Sequence, residues 1–372
     1  ITTNVIPQHI YVSEGDNKLL IDTENEILLG LLFESAKKHK IITIKECLYD
    51  IYTDYADNEV VIPFVNTTHK ENHYISKKTE DIKSKFIPAE EWLYYKIYTG
   101  VKTANKILID AIQPLVALLK EKGLIKKWFF IRYRDTDFHL RIRFAFDENV
   151  EGSVQEIMTL FNEYLKFYVE NHMIWKVELA TYDKELERYQ GKIIELSEKI
   201  FHYDSELALQ LIDATQGSEN EDLLWMLTFK CIDSYFNLFH FTNEERHAIT
   251  ESLYNAFQQE FDADKNVRKQ VDLKFRNYLP TMKVIFSPKS EEYTEYISLI
   301  DDAMSKIAAN CWEMNRLHKT QAMTLIDSFI HMHINRITKS NPRTHELVIY
   351  GILEKYYRMK LAQIKHLKVE CL

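Results

Sequence analysis

The stretch Trp128-Phe-Phe-Ile-Arg-Tyr-Arg-Asp-Thr-Asp-Phe-His-Leu-Arg-Ile-Arg-Phe144 decides how this chain is read. Its apolar runs and central polar residues predict two strands, 128–133 and 139–146, joined by a tight turn. Successive strand residues point to opposite faces. Leu140, Ile142 and Phe144 therefore share one face, and His139, Arg141 and Arg143 share the other. One face is greasy enough to bury. The other carries an imidazole and two guanidiniums in a row. Cross-strand neighbours usually avoid concentrated like charge, so the row points to a bound anion.

Outward from this hairpin the rhythm is regular. Residues 92–98 read as a strand and 101–122 as a helix closed by Gly123 at the C′ position. After the hairpin come a helix over 150–171 and a strand over 174–181. The order β-α-β-β-α-β is the split βαβ, or ferredoxin-like, arrangement. It predicts an α+β fold with a four-stranded antiparallel sheet. Beyond 184 the periodicity is helical almost to the end, with helices at 191–213, 219–240, 244–259, 263–278, 291–315, 319–338 and 342–364. Pro280 and Pro288 are expected to break the series, and Pro342 to open a helix. Before the sheet, 1–86 differs in texture. Tyr11-Val12 and 19–21 are strand candidates around the turn Glu14-Gly15-Asp16-Asn17. Asp22 or Thr23 is expected to cap a helix through Ile27, Leu28, Leu31 and Leu32. Val60 to Val65 reads as another strand. The polar segment 66–85 has linker composition, which places a boundary near 86. The second domain, 87–372, divides into an α/β part at 87–183 and a helical part at 184–372.

Composition agrees with a helix-rich globular chain. Of 372 residues, 46% are hydrophobic and 28% charged, with only 8 Gly and 7 Pro. The net charge of −9 does not advertise nucleic-acid binding, although a local basic groove is compatible with it. Cys47, Cys231, Cys311 and Cys371 have no framework spacing and read as free thiols. No signal peptide or membrane-spanning run is present, so a cytoplasmic protein without membrane insertion is expected.

No phosphate-binding loop, dinucleotide fingerprint, nucleophile elbow or zinc-protease helix occurs. Three clusters remain. The first is the row His139, Arg141, Arg143, taken with Arg132 and Arg134 of the neighbouring strand. Arginine suits bidentate capture of carboxylate or phosphate. The alternative is a solvated face balanced by Asp135, Asp137 and Asp147. The second is Glu185 and Arg188, side by side on one helical turn, with an ordinary surface ion pair as the alternative. The third is Asp327-Ser328-Phe-Ile-His331-Met-His333-Ile-Asn335-Arg336. On a helix His331 and Asn335 share a face, with Asp327 and Ser328 a turn earlier. His331 and His333 are too badly spaced to chelate one metal. A general acid or base and a satisfied core histidine both fit.

Five segments occur in an order that carries a resemblance: Trp92-Leu-Tyr-Tyr-Lys-Ile-Tyr-Thr-Gly100, Trp128-Phe-Phe-Ile-Arg-Tyr133, His139-Leu-Arg-Ile-Arg-Phe144, Glu185-Leu-Glu-Arg-Tyr189 and His331-Met-His-Ile-Asn-Arg336. Together they resemble the C-terminal domain of class I lantibiotic dehydratases, the thiopeptide-type bacteriocin biosynthesis domain, from about residue 87 to the end. Residues 7–64, with Asp16-Asn-Lys-Leu-Leu-Ile-Asp22 and Val60-Val-Ile-Pro63, resemble the last part of the glutamylation domain of the same enzymes. Two departures lie in loops. The family usually has Asp-Pro where this chain has Asp135-Thr136, and two glycines where it has Gln190-Gly191.

The resemblance implies β-elimination of glutamate from glutamylated Ser or Thr of a ribosomal precursor peptide, leaving dehydroalanine or dehydrobutyrine. Glutamyl-tRNA would be used only by the glutamylation domain, of which 1–86 is the remnant. The resemblance assigns catalysis to Arg143, Arg188 and His331, with Arg141 and Glu185 contacting substrate in the same motifs. It implies no metal and no organic cofactor. The full enzymes commonly dimerise, so a homodimer is a candidate assembly. Two other readings stand beside it: a pyridine synthase joining dehydroalanines by cycloaddition, and a non-catalytic scaffold that holds a peptide's acidic side chains.

Overall fold

The computed structural model describes residues 6–14, 17–38, 42–47, 82–189, 191–216, 221–287, 291–317 and 319–370. The strand expected at 60–65, Gln190, Pro288 and Cys371 lie outside them. The chain divides into two units, residues 1–75 and 76–372.

In the first unit, β1 (His9–Glu14), β2 (Asn17–Asp22) and β3 (Thr43–Glu46) form an antiparallel sheet in the order β2-β1-β3. Helix α1 (Glu26–Lys38) contributes Leu32 to a small core with Ile10 and Ile21. The cap of α1 is neither Asp22 nor Thr23. Asn25 Oδ1 accepts from the Ile27 and Leu28 N–H groups at 3.0 and 3.2 Å. Asp22 instead accepts from Glu24 N–H at 3.0 Å and shapes the turn before the helix.

The second unit opens with β4 (Lys85–Phe86), which pairs with β9 (Tyr182–Asp183). Its main sheet holds β5 (Trp92–Thr99), β6 (Ile125–Arg134), β7 (Phe138–Phe146) and β8 (Ile174–Leu179) in the antiparallel order β6-β7-β5-β8. Between β5 and β6 run α2 (Val101–Ile107) and α3 (Gln113–Glu121). They are joined by a π-turn, Leu108–Ile112, where one uninterrupted helix was expected. Pro114 explains the difference: it has no N–H for the α-helical ladder, and a proline is tolerated in a helix's first turn. The Gln113 N–H reaches back to Leu108 O. Gly123 ends α3 at φ +67°, the left-handed conformation that suits glycine at C′. Helix α4 (Ser153–Glu170) connects β7 to β8.

Cross-strand pairing fixes the faces. Tyr94, Arg143 and Phe129 lie abreast, followed by Lys96, Arg141 and Ile131, then Tyr98, His139 and Tyr133. The opposite face carries Leu93, Phe144 and Trp128, then Tyr95, Ile142 and Phe130. It is sealed by α4, whose Phe161 ring stacks on Tyr95 at 3.7 Å between centroids.

The remaining helices are α5 (Ile193–Ala214), α6 (Glu221–Leu238), α7 (Asn243–Glu260), α8 (Lys265–Ile285), α9 (Thr294–Leu317), α10 (Lys319–Ile337) and α11 (Pro342–Glu370). Pro280 does not break the series: α8 runs through it. Met282 and Ile285, beyond the proline, are fully buried, and that burial holds the helix together against the lost hydrogen bond.

Two of these helices dock on the free edge of β6 with side chains in place of a strand. Ser205 of α5 accepts from Phe130 N–H at 3.2 Å, and Arg336 of α10 donates to Phe130 O at 2.9 Å. The Asn335 amide accepts from Arg132 N–H and donates to Arg132 O, both at 2.8 Å. An unpaired buried backbone group costs about 1–3 kcal/mol, so these side chains make the edge compatible with burial. Behind them Asp204 bonds Arg336 at 2.8 Å, His333 at 2.7 Å and the Tyr235 hydroxyl at 3.0 Å. Arg336 and His333 are fully buried and Asp204 nearly so. Sheet and helices thus share one core and one buried ionic knot.

Candidate active site

The polar face of the sheet resolves into three different environments. His139 is fully buried between the rings of Tyr98 and Tyr133, 4.7 and 5.7 Å from its own. Its Nδ1 lies 3.0 Å from Asp137 O and its Nε2 accepts from Arg141 Nε at 3.1 Å. Burial holds its pKa below the ordinary value. A neutral ring that accepts from Arg141 fits this pattern, so the row is not three adjacent positive charges. Arg141 stacks on Tyr133 at 3.4 Å and has Asp135 at 3.9 Å. That contact partly fulfils the solvated-face reading.

Arg143 is different. It is only 8% exposed. Its guanidinium lies 4.4 Å from the Tyr94 ring centre, 5.1 Å from that of Tyr182 and 5.2 Å from that of Phe129. Its buried Nε meets no hydrogen-bond acceptor, and no carboxylate among the described residues forms an ion pair with it. Burial depresses its pKa, opposed mainly by Tyr182 and Tyr94. Stacked rings lower the cost of a buried cation but do not neutralise it. Among the described residues Arg143 is therefore a buried cation without an ion-pair partner.

Arg132, grouped with this row from the sequence, belongs elsewhere. It pairs across the strands with Leu140 and so points to the opposite face. There it donates to Arg336 O at 2.9 Å and to Asn105 Oδ1 at 2.7 Å.

The second cluster lies just past β9. Glu185 Oε2 is 3.9 Å from Arg188 Nε, and its charge also acts on Arg143 and Tyr182. Arg188 is half exposed and donates to Ser328 Oγ at 3.3 Å. Tyr189 hydrogen-bonds the same hydroxyl. Its ring packs on Phe201, which touches Phe129 beside Arg143. Residues 185–189 thereby tie the sheet's cation to α10.

The third cluster is one turn further along α10. His331 Nδ1 lies 2.8 Å from Glu346 Oε1 of α11. Glu346 is almost fully buried and also accepts from the Tyr350 hydroxyl at 3.1 Å. Asp327 lies between His331 and Arg188 in charge terms: burial disfavours its carboxylate, and both neighbours favour it. His333, two residues on, points into the ionic knot. Burial opposes its charge, but Asp204 prevails and raises its pKa to about 10. The half-open His331 and the sealed His333 therefore have separate environments on one helix. Arg188 and His331 are brought together around Ser328 and Asp327; Arg143 is linked to them through Glu185 and the aromatic bridge. Arg141 lies further out on β7. The sequence reading missed Tyr94, Tyr182 and Phe129, and it missed Glu346. Strand parity could have supplied Tyr94, which lies opposite Arg143; nothing local marks Glu346.

Residues 92–357 match the sequence model of the lantibiotic biosynthesis dehydratase C-terminal family. The chain belongs to that family. It is similar to the nisin biosynthesis protein NisB of Lactococcus lactis subsp. lactis, 27% identical over 380 aligned positions covering 96% of this chain and 36% of NisB. It is also similar to the subtilin biosynthesis protein SpaB of Bacillus subtilis, 24% identical over 90% of this chain and 33% of SpaB. The chain thus spans about a third of the length of these curated relatives. Among solved structures, the tRNA-dependent lantibiotic dehydratase MibB from Microbispora sp. 107891 matches 95% of this chain and 37% of its own, at TM-score 0.58 and 15% identity. TsrL matches 73% of this chain and 95% of its own, at TM-score 0.50 and 14% identity. At such identities the likeness concerns the fold. The family match spans all three clusters. Among the described residues no helix is long and apolar enough to cross a membrane, and Cys231 and Cys311 are buried thiols outside any disulfide.

Proposed function

We propose that this chain performs the glutamate-eliminating step of lantibiotic-type dehydration, as a lyase acting on a glutamylated precursor peptide. The observation that carries the reading is Arg143, a buried cation cradled by three rings and with no ion-paired anion among the described residues. Within this reading, residues 87–372 act as an elimination domain and 1–86 correspond to the tail of a glutamylation domain. The strand order β6-β7-β5-β8 supports a split βαβ sheet as its platform.

The reaction removes the α-proton of an esterified Ser or Thr. The electron pair becomes the Cα–Cβ double bond, the Cβ–O bond breaks, and glutamate leaves as a carboxylate. Arg143 holds the carboxylate as its charge develops, where a preorganised donor lowers the barrier most. Arg188 holds the substrate from the side of α10, oriented by Glu185, and Arg141 extends the cationic face toward the peptide. His331 removes the proton. A carboxylate at Glu346 only accepts, so Nδ1 carries the ring's proton and Nε2 keeps the free lone pair that a general base needs.

The test is a glutamylated Ser peptide supplied to the wild-type chain and to Arg143→Ala and His331→Ala. Wild type is expected to release free glutamate and a dehydrated peptide, with release falling by roughly 10²-fold or more in each variant. Undiminished release by both variants, or binding with no mass change by wild type, would sink the assignment.

A further inference from the structure

Arg132 is a second buried arginine, and the candidate active site does not use it. It is 4% exposed. Its Nε donates to Arg336 O at 2.9 Å and its Nη2 to Asn105 Oδ1 at 2.7 Å, both neutral oxygens. Its Nη1 is buried without an acceptor, and no carboxylate among the described residues pairs with it. Burial lowers its pKa to about 9, so near neutral pH it still carries its charge. A buried charge with no counter-charge is costly, and an orphaned buried donor calls for an explanation. Asn105 points to one: it bonds Arg132 and also lines a cavity of about 690 Å³.

That volume suits a small organic molecule. The cavity is walled by α2, the π-turn, the last turn of α5, the start of α6, the end of α10 and His345 of α11. Part of the lining is apolar, with Ile212, Leu224, Trp225 and Ile337. The rest is polar and mainly cationic: Lys102, Lys106 and Lys339 stand against one carboxylate, Asp110. Lys106 already pairs with Asp110. Lys102, exposed at the start of α2, has no ion-pair partner among the described residues. Lys274 adds a further cation, 5.5 Å from the centre of the Trp225 ring. In a chain of net charge −9 this is a local excess of positive charge, of the kind that draws anions. His345 Nδ1 is buried without a partner, so the polar wall is unfinished there too. The π-turn presents Ile109 and Asp110 to the cavity, and such turns are frequent at functional sites. We propose that this cavity binds a small organic oxyanion, a carboxylate or phosphate with an apolar body. Lys102 holds the oxyanion beside Asn105, the apolar body lies against Leu224 and Trp225, and the ligand's charge supplies what Arg132 lacks. The proposal does not depend on the elimination chemistry.

The test is isothermal titration calorimetry on the 372-residue chain, with phenyl phosphate, benzoate and inorganic phosphate as probes. Wild type is expected to bind phenyl phosphate or benzoate, and the tighter of the two identifies the oxyanion. Inorganic phosphate, which has no apolar body, should bind on the order of tenfold more weakly than that probe. Lys102→Glu changes an exposed position and should raise the dissociation constant on the order of tenfold or more. Asn105→Asp places a carboxylate beside Arg132 within the chain itself. It should raise the unfolding temperature and abolish binding, because the counter-charge is then built in. A wild type that binds neither aromatic anion at millimolar concentration overturns the proposal. So does binding that both variants leave unchanged, or inorganic phosphate bound as tightly as the better aromatic probe.

Discussion

Arg143 and His331 show how a side chain is prepared by what surrounds it. Among the described residues Arg143 has rings and no ion-paired anion, and His331 has a buried carboxylate on Nδ1 and no partner on Nε2. Glu346→Gln tests the second arrangement. A neutral amide can donate to Nδ1 and so favour the wrong tautomer, as happens when an aspartate behind a catalytic histidine becomes asparagine. Glutamate release should fall on the order of 10²-fold, carried by kcat and not KM. Glu346→Asp should recover part of it. An unchanged kcat in Glu346→Gln would leave Glu346 a packing residue. These residues were unequally legible. The parity of β7 shows that Arg141 and Arg143 share a face, because alternation is geometry. The position of Arg132 was not readable in the same way. Its direction depends on the pairing register, and the length of the turn 135–137 that sets the register is not evident from composition. Glu346 was hidden because it reaches His331 from the next helix, across the turn at 338–341.

At the scale of elements, α10 does two jobs on successive turns. Ser328 and His331 line the candidate site, while Asn335 and Arg336 take the place of a strand beside β6. Asn335→Ala would orphan both backbone groups of Arg132 at once. Each buried unpaired group costs about 1–3 kcal/mol, so the urea midpoint should drop by an amount corresponding to several kcal/mol. A drop below about 1 kcal/mol would show that water reaches this edge. The existence and order of the elements were readable because long apolar periodicities are strong signals. Interruptions were harder. Pro114 produces a π-turn without ending the helix, and Pro280 produces no break, since tertiary burial on its far side outweighs a local preference. The side-chain staple has no local signature, because its partners are far apart in sequence.

At the scale of the whole molecule, the knot of Asp204, His333 and Arg336 couples folding to pH. His333 carries a pKa of about 10 in the fold against about 6.5 in an unfolded chain. The folded state holds this proton more tightly, so its contribution is complete below about 6.5 and drains away as pH rises toward 10. Asp204 acts in the opposite sense. Burial disfavours its charge, but His333 and Arg336 outweigh it and hold its pKa below the usual value, so its contribution is lost toward acid. Unfolding midpoints measured between pH 6.5 and 9.5 should fall in wild type and fall less in His333→Asn, which starts lower. Parallel slopes would mean that His333 is neutral in the fold.

The staple on β6 also has a consequence in time. The bond from Arg132 to Asn335 spans 203 residues. On a ribosome adding about 5–20 residues per second, β6 is made on the order of ten to forty seconds before the helix that covers its edge. During that interval α5 can cover Phe130 through Ser205, but the N–H and C=O of Arg132 still lack Asn335, and that end of the edge is open to a neighbouring chain. The order of synthesis thus leaves one end of the β6 edge exposed to pairing with other chains until α10 arrives.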